Sequence, residues 1–248
     1  MKTAFITGAT SGIGAATARI LAPKYRLILC GRRQENLKAL QTELESTTEV
    51  ITLCFDVRDK ETVFKTINNL PDSWKSIDVL INNAGNAHGL DRFQDADLED
   101  LEAMIDINVK GLIYVTKAVL PYLINTEEGH IVNLSSIAGK ETYLNGTVYC
   151  ASKAAVESIS KGLRFDLQQD GIRVTNIAPG AVETEFSKVR FKGDDDRAAS
   201  VYEGYTPLSA DDIASAIAYA LNQPAHVQIA DVTIFPKAQA SGTSIKRV

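Results

Sequence analysis

The sequence predicts an α/β protein built as one domain, a doubly wound sheet of seven parallel strands flanked by helices. Three observations carry this. Short runs of Val, Ile, Leu and Phe alternate along the chain with longer amphipathic segments. Several of those runs lack apolar/polar alternation, as expected of parallel strands covered on both faces. The first run ends within eight residues in a glycine-rich turn that opens a helix.

In chain order, the expected strands are Thr3–Thr7, Arg26–Cys30, Val50–Phe55, Asp78–Asn82, His130–Ser135, Arg173–Ala178 and Ala230–Phe235. Helices are expected near 12–23, 34–46, 59–70, 97–124, 150–169 and 209–222. Within 97–124, Leu101, Met104, Ile105, Leu112, Val115 and Val119 recur at helical spacing. Parallel neighbours need crossover connections, and these are right-handed. The segment 183–208 breaks the rhythm, running from Glu183-Thr184-Glu185-Phe186 through Asp194-Asp195-Asp196 to Pro207. Lying past the C-terminal end of a strand, it reads as a substrate lid in preference to surface padding.

With 248 residues, 45% hydrophobic and 23% charged, the chain can bury a sizeable core. Its size suits a single α/β domain spanning 1–248. A net charge of −5 offers no field for a polyanion, which excludes nucleic acid as the expected partner. Cys30, Cys54 and Cys150 lie far apart without C-x-x-C spacing, against a disulfide framework or a zinc site; buried thiols are expected. His88, His130 and His226 are isolated and read as packing or surface residues, so no metal is expected. The N-terminal apolar run is too short for a signal segment. No stretch reads as the roughly 20 apolar residues of a membrane span. A cytoplasmic protein without membrane contact is expected.

The first strand runs into Thr7-Gly8-Ala9-Thr10-Ser11-Gly12-Ile13-Gly14. Glycine here turns the chain sharply, lets backbone N–H groups approach a phosphate, and allows close helix–strand packing. The helix N-terminus adds unpaired donors and the positive end of its dipole, so Gly8, Thr10, Ser11, Gly12, Ile13 and Gly14 form a candidate pyrophosphate cradle of Rossmann type. The spacing is G-x-x-x-G-x-G, and similar turns close many βα units. The second strand ends Cys30-Gly31-Arg32-Arg33, where an NAD site commonly places a carboxylate. Two guanidinium groups there suit the 2′-phosphate of NADP. Asp56, with Val57 after the third strand, stands either to accept from the adenine amino group or to cap the next helix. Asn83-Ala84-Gly85 after the fourth strand suits a backbone lying close to a ligand.

Tyr149 and Lys153 stand four residues apart at an expected helix start, on one face. A free phenol titrates near 10, and a neighbouring cation pulls that down toward the working range. Ser136, at the end of the fifth strand, places a hydroxyl where a carbonyl oxygen near Tyr149 would lie. Alone, Y-x-x-x-K is common on helix surfaces; with the glycine turn it becomes specific.

Taken together, these residues resemble the short-chain dehydrogenase/reductase family over nearly the whole chain. The resemblance rests on Thr7-Gly8-x-x-x-Gly12-x-Gly14, Asn82-Asn83-Ala84-Gly85, Asn108, Ser136, Tyr149-x-x-x-Lys153 and Pro179-Gly180-x-Val182-x-Thr184, in order and at the family's separations. It implies hydride transfer between nicotinamide and an alcohol or carbonyl carbon. Tyr149 would be the general acid/base, Lys153 would lower its pKa and hold the nicotinamide ribose, Ser136 would orient the substrate carbonyl, and Asn108 would support a water-linked proton relay. Pro179, Gly180, Val182 and Thr184 would lie against the nicotinamide. The resemblance also implies a homodimer or homotetramer joined through the helices at 97–124 and 150–169.

Leu70-Pro71-x-x-Trp74-x-x-Ile77-Asp78 and Glu185-Phe186-Ser187-x-Val189-Arg190-Phe191-Lys192-Gly193-Asp194 further resemble the branch that oxidises L-serine, L-allo-threonine and related 3-hydroxy acids. In that reading Arg190 or Lys192 pairs with a substrate carboxylate; in the alternative both are solvated lid charges facing Asp194–Asp196. A reductase for another ketone, sugar or steroid, a nucleotide-sugar epimerase and a non-catalytic NADP-binding sensor are the rival readings.

Overall fold

The computed structural model describes residues 1–248. Its seven strands are β1 (Lys2–Thr7), β2 (Tyr25–Gly31), β3 (Val50–Cys54), β4 (Val79–Asn82), β5 (His130–Leu134), β6 (Arg173–Pro179) and β7 (Asp231–Ile234). All pair in parallel, in the order β3-β2-β1-β4-β5-β6-β7. The chain winds outward from β1 to β3, then returns to β4 on the other side of β1. That reversal opens a crevice at the carboxyl ends of β1 and β4.

The helices are α1 (Gly12–Leu21), α2 (Gln34–Leu44), α3 (Lys60–Asn68), α4 (Leu98–Ile105), α5 (Leu112–Ile124), α6 (Thr147–Asp166), α7 (Phe186–Arg190), α8 (Asp195–Ser200) and α9 (Ala210–Leu221). Two cores sandwich the sheet. Ala4, Ile6, Leu27 and Leu29 face one, with Leu37, Ile213 and Ile217 of α2 and α9. Phe5, Ile28, Leu80 and Ile131 face the other, with Val63 of α3 and Val115 and Val119 of α5. Both phases of the strand's two-residue period are therefore apolar, which is why β1 reads as an unbroken run.

Element ends differ from expectation by at most three residues. The largest shift is at α6, which begins at Thr147 and not at 150, so Tyr149 lies inside its first turn. Asn145 takes a positive φ of 64° just before, breaking the chain ahead of that helix. The expected helix 97–124 is continuous but not uniform, because Asp106–Gly111 forms a wide π turn between α4 and α5. It is 27 residues long, its most apolar 18-residue window has a mean hydropathy of 1.3, and by length and composition alone it would suit a membrane span. This departs from the sequence expectation that no stretch reads as a membrane span. Half of the most apolar window is buried in the fold, consistent with a core helix. Cys30 and Cys150 are buried, but Cys54 is exposed, since β3 is the sheet edge and Cys54 its last residue.

Candidate active site

Above the crevice lies a cleft of about 690 Å³, lined by the ends of β1, β2, β4, β5 and β6, by the 183–208 insert and by the C-terminal residues Gln239, Thr243 and Ile245. Gly8 and Gly12 have positive φ, 66° and 52°. A Cβ on Gly8 would stand 2.8 Å from Asn83 Nδ2 and 2.9 Å from Ala84 Cα. Ser11 is the extended N-cap of α1 and makes no side-chain capping bond, so the first-turn donors of α1 are left for a ligand. Thr10, Ser11 and Ile13 join these glycines on the cleft wall.

Gly14 does not line the cleft. A Cβ there would fall 2.3 Å from Gly8 O, so its role is to let α1 lie against the turn. Asn83 reaches the cleft, but its amide is committed, with Nδ2 donating to Thr7 O (2.9 Å) and Gly8 O (3.1 Å). It ties the end of β4 to the glycine turn. Ala84 and Gly85 line the cleft, as do Pro179, Gly180 and Val182. Thr184 Cβ packs 3.3 Å from where a Gly12 Cβ would be. The hydroxyl of Thr184 accepts from Phe186 N at 3.2 Å, opening α7.

Arg33 is the N-cap residue of α2, and its side chain lies back over the glycine turn. Nη2 donates to Thr10 Oγ1 (3.1 Å) and Ser11 Oγ (2.7 Å), and Nη1 pairs with Glu185 at 2.9 Å. Arg32 is exposed and stands 3.7 Å from Asp56. Asp56 does not cap α3. Asp59 does, accepting from Thr62 N at 3.1 Å. Burial pushes the Asp56 carboxyl up, but its hydrogen bonds to Arg58, aided by Arg32, outweigh that and hold it below the ordinary range. Asp56 and Val57 line the cleft together with the two arginines.

At the other end stand Ser136, Tyr149 and Lys153. Lys153 is buried, forms no ion pair and donates from Nζ to Leu134 O at 2.9 Å. A Cβ on Gly85 would meet Lys153 Nζ at 3.3 Å and Asn108 Oδ1 at 2.9 Å, so the two side chains converge behind that glycine. Asn108 itself sits in the π turn, outside the cleft lining. Its Nδ2 donates to Asn86 O (2.8 Å) and Ser152 Oγ (3.0 Å), and its Oδ1 accepts from Asn86 N (2.9 Å). With both donors spent on protein partners, the side chain anchors the wide turn. Ser136 Oγ accepts from Ala138 N at 3.1 Å at the start of a short turn after β5.

Burial pushes the Tyr149 phenol well above its ordinary value. The neighbouring Tyr143 adds to this, while a hydrogen bond to Ser136 and the charge of Arg190 oppose it. Burial lowers the Lys153 ammonium to about 8, with Glu157 acting the other way. The lysine-driven depression of the phenol expected from sequence is thus not the dominant influence in the protein alone, because Lys153 is turned to Leu134 O and both groups are desolvated.

The insert closes over this end. Arg190 Nε donates to Gly89 O (3.0 Å) while Gly89 N donates to Arg190 O (2.8 Å), and its guanidinium lies 5.5 Å from the Tyr149 ring. Lys192 is not in the cleft, being paired with Asp100 of α4 at 2.7 Å. Neither residue faces Asp194–Asp196; only Lys188 does, at 3.1 Å from Asp195. The sequence reading missed Tyr143, Glu185, Phe186 (5.9 Å from the Tyr149 ring, tilted) and Gln239, whose Oε1 accepts from Ala181 N at 2.8 Å. Glu185 and Phe186 lie in a quoted segment, but nothing in their spacing marks them as cleft residues. Gln239 carries no local signal at all.

A profile described as short chain dehydrogenase matches residues 2–195. An NADP-dependent 3-hydroxy acid dehydrogenase of Salmonella typhi, YdfG, is 46% identical over 98% of each chain. A sulfoacetaldehyde reductase of Chromohalobacter salexigens is 47% identical over 95% of this chain and 94% of its own. Among solved structures, the closed form of a serine dehydrogenase complexed with NADP+ superposes with a TM-score of 0.92, at 41% identity, covering 99% of this chain and all of that one. On this agreement of profile, sequence and fold, the chain belongs to the short-chain dehydrogenase family.

Proposed function

We propose that this NADP-dependent dehydrogenase interconverts a small 3-hydroxy acid, of the L-serine, L-allo-threonine or 3-hydroxypropionate type, with its 3-oxo acid or semialdehyde. The observation that carries the reading is Arg190, whose guanidinium stands over the Tyr149 ring on the cleft wall. Gly89 fixes one edge of it and Tyr143 stands beside it, and its remaining donors suit a carboxylate two bonds from the reacting carbon. The names of the Salmonella typhi relative and of the serine dehydrogenase neighbour support the same class.

The cleft residues fit an NADP. The glycine turn and α1 would hold the pyrophosphate, Arg32 and Arg33 the 2′-phosphate, Asp56 and Val57 the adenine, and Ala84, Gly85, Pro179, Gly180, Val182 and Thr184 the nicotinamide half. The nicotinamide supplies or accepts the hydride when bound. Ser136 would orient the substrate oxygen, Tyr149 would give or take its proton, and Lys153 would bind the ribose and supply positive charge beside the phenol. Asn108 would hold the turn on which this arrangement rests. Burial favours the protonated phenol in the protein alone, the form that donates in the reductive direction.

Initial rates with NADP against L-serine, L-allo-threonine, 3-hydroxypropionate, 3-hydroxybutyrate and a neutral secondary alcohol test the substrate class. Arg190→Met should raise KM for the acids about tenfold or more and leave the neutral alcohol unaffected, as loss of a charged hydrogen bond predicts. A preference for the neutral alcohol, or an unchanged KM for L-serine in that variant, removes the assignment. A sulfonate aldehyde is the second reading, since the same guanidinium suits a sulfonate and one relative carries that activity in its name. Exposed Leu98, Ile113 and Phe165 on the long helices support a homodimer or homotetramer, and the free cysteines suit a cytoplasmic setting. Light scattering and fractionation test these.

A further inference from the structure

Behind Lys153, away from the cleft, the sheet carries a row of polar residues in register: Asn82 on β4, Asn133 on β5, Asn176 on β6 and Asp231 on β7. Such a row in an otherwise apolar layer needs partners. Asn82 Nδ2 donates to Asn133 Oδ1 (2.9 Å) and to Thr116, and Asn133 Nδ2 donates to Ser160 of α6. Asn176 Nδ2 donates both to Asp231 (2.9 Å) and to Glu157 Oε1 (2.8 Å). Glu157 is buried on α6 and stands one turn after Lys153, on the same helix face. Lys140, from the turn after β5, donates to Glu157 Oε2 (3.1 Å) and to Asp231 (2.8 Å).

Two carboxylates thus share one ammonium, leaving a formal charge of −1 on a network that runs from the partly exposed Lys140 and Asp231 in to the buried Glu157, behind a buried lysine that has no ion pair of its own. The other groups facing this region are Tyr149 on α6, the uncharged Asn108 and Ser152, and Arg164 further along α6, which is turned to Ala230 O at 2.8 Å. No second carboxylate stands in the first turns of α6.

We propose that Glu157 is a positioning residue for the reaction, its carboxylate holding the Lys153 side chain in the charged form that binds ribose and faces Tyr149. Burial alone opposes that charge, and Glu157 is the charged group that resists it. The Lys140–Asp231 pairing tunes how much of the Glu157 charge Lys153 feels, because the nearer cation screens it. The inference rests on the Lys153 role given above.

The test follows the Lys153 ammonium directly, by side-chain NMR of protein carrying isotope-labelled lysine, with the signal assigned by its loss in Lys153→Arg. In Glu157→Gln, which keeps the shape and can still accept from Asn176, the Lys153 titration should move to lower pH by about one pH unit or more. Glu157→Asp should recover part of it. Lys140→Met, which unscreens Glu157, should move the titration up. Reductive kcat/KM in Glu157→Gln should begin to fall at a correspondingly lower pH than in the parent, even where the melting temperature is unchanged. A Lys153 titration that stays put or rises in Glu157→Gln overturns the proposal. If that variant yields no folded protein, Lys140→Met decides, and an unmoved or lowered titration there is equally fatal. Because the NMR readout needs no turnover, failure of the catalytic reading, seen as full activity in Lys153→Met, would be told apart from failure of this coupling.

Discussion

Arg33 and Glu185 form an ion pair of 2.9 Å that joins the N-cap of α2 to the residue preceding α7. It bridges the cofactor end of the cleft and the lid, two elements 152 residues apart in sequence. Both side chains are about half exposed, so the pair itself contributes little to stability. Its consequence is for binding, since a phosphate approaching Arg33 competes with the Glu185 carboxylate. Glu185→Gln should tighten NADPH binding and steepen its dependence on salt, because no carboxylate is left to offset Arg33. Arg33→Ala should weaken NADPH binding by about ten- to a hundredfold, the worth of one charge-assisted contact, and leave NADH little changed. Fluorescence titration at two ionic strengths measures both. Equal losses for NADPH and NADH would place Arg33 away from the 2′-phosphate.

Tyr149→Phe removes the proton donor while keeping the ring against Phe186. Turnover should fall by about a hundredfold to ten-thousandfold, with NADPH affinity kept. The parent enzyme carries a pH signature as well. Its phenol is pushed up, so the donor form persists through neutral pH, while the phenolate needed for alcohol oxidation accumulates only as pH rises. Oxidative kcat/KM should therefore climb with pH where reductive kcat/KM is flat or falling. Parallel profiles in the two directions would contradict the assignment of the proton to this tyrosine.

At Gly14 the test is of packing. An alanine methyl there would stand 2.3 Å from Gly8 O and 2.6 Å from Asn83 Nδ2. Neither neighbour is a free side-chain end, because Asn83 is hydrogen bonded to the turn. Gly14→Ala should cost about 1–3 kcal/mol of stability and loosen cofactor binding by displacing the turn. Thermal and urea unfolding, with and without NADP, measure it. A fully stable variant with normal affinity would show that the turn relaxes freely.

His130 gives the protein an acid-sensitive core. Thr175 donates its hydroxyl to Ile229 O (2.7 Å) and so accepts from His130 Nε2 (2.8 Å), which leaves Nδ1 bare and without a partner. Burial first, then the charges of Arg173 and Lys2, lower this histidine to about 3. An unfolded histidine titrates near 6.5, so between those values the unfolded chain binds the extra proton and the fold does not. Stability is complete above about pH 6.5 and declines as pH falls toward about 3, by about 1.4 kcal/mol per pH unit from this group. His130→Gln should flatten the fall by that slope in urea unfolding from pH 7 to pH 4. Identical slopes in both proteins would mean that His130 takes up its proton without unfolding.

Much of this was legible in the sequence for a physical reason. Local periodicity fixes strand and helix, and β1 through the glycine turn is a continuous local signal, so Gly8, Gly12 and the Tyr149/Lys153 pair could be placed by spacing. Arg32 and Arg33 were legible because they end a strand whose exit must face the crevice. What the sequence could not decide were matters of approach between distant segments. Gly14 looks the same as Gly12 in a string of letters, yet one faces the cleft and the other packs against Gly8. Arg190 and Lys192 are equivalent lid cations by sequence, and only the docking of α7 against Gly89 and Asp100 turns one inward and the other away. The charge on Lys153, likewise, depends on Glu157, Lys140 and Asp231, which α6, the turn after β5 and β7 bring together. Periodicity and turn chemistry are properties of the neighbouring residues and so are written in the chain. Burial, and with it every shifted pKa, is a property of what the folded neighbours exclude, and it exists only once the sheet has closed over them.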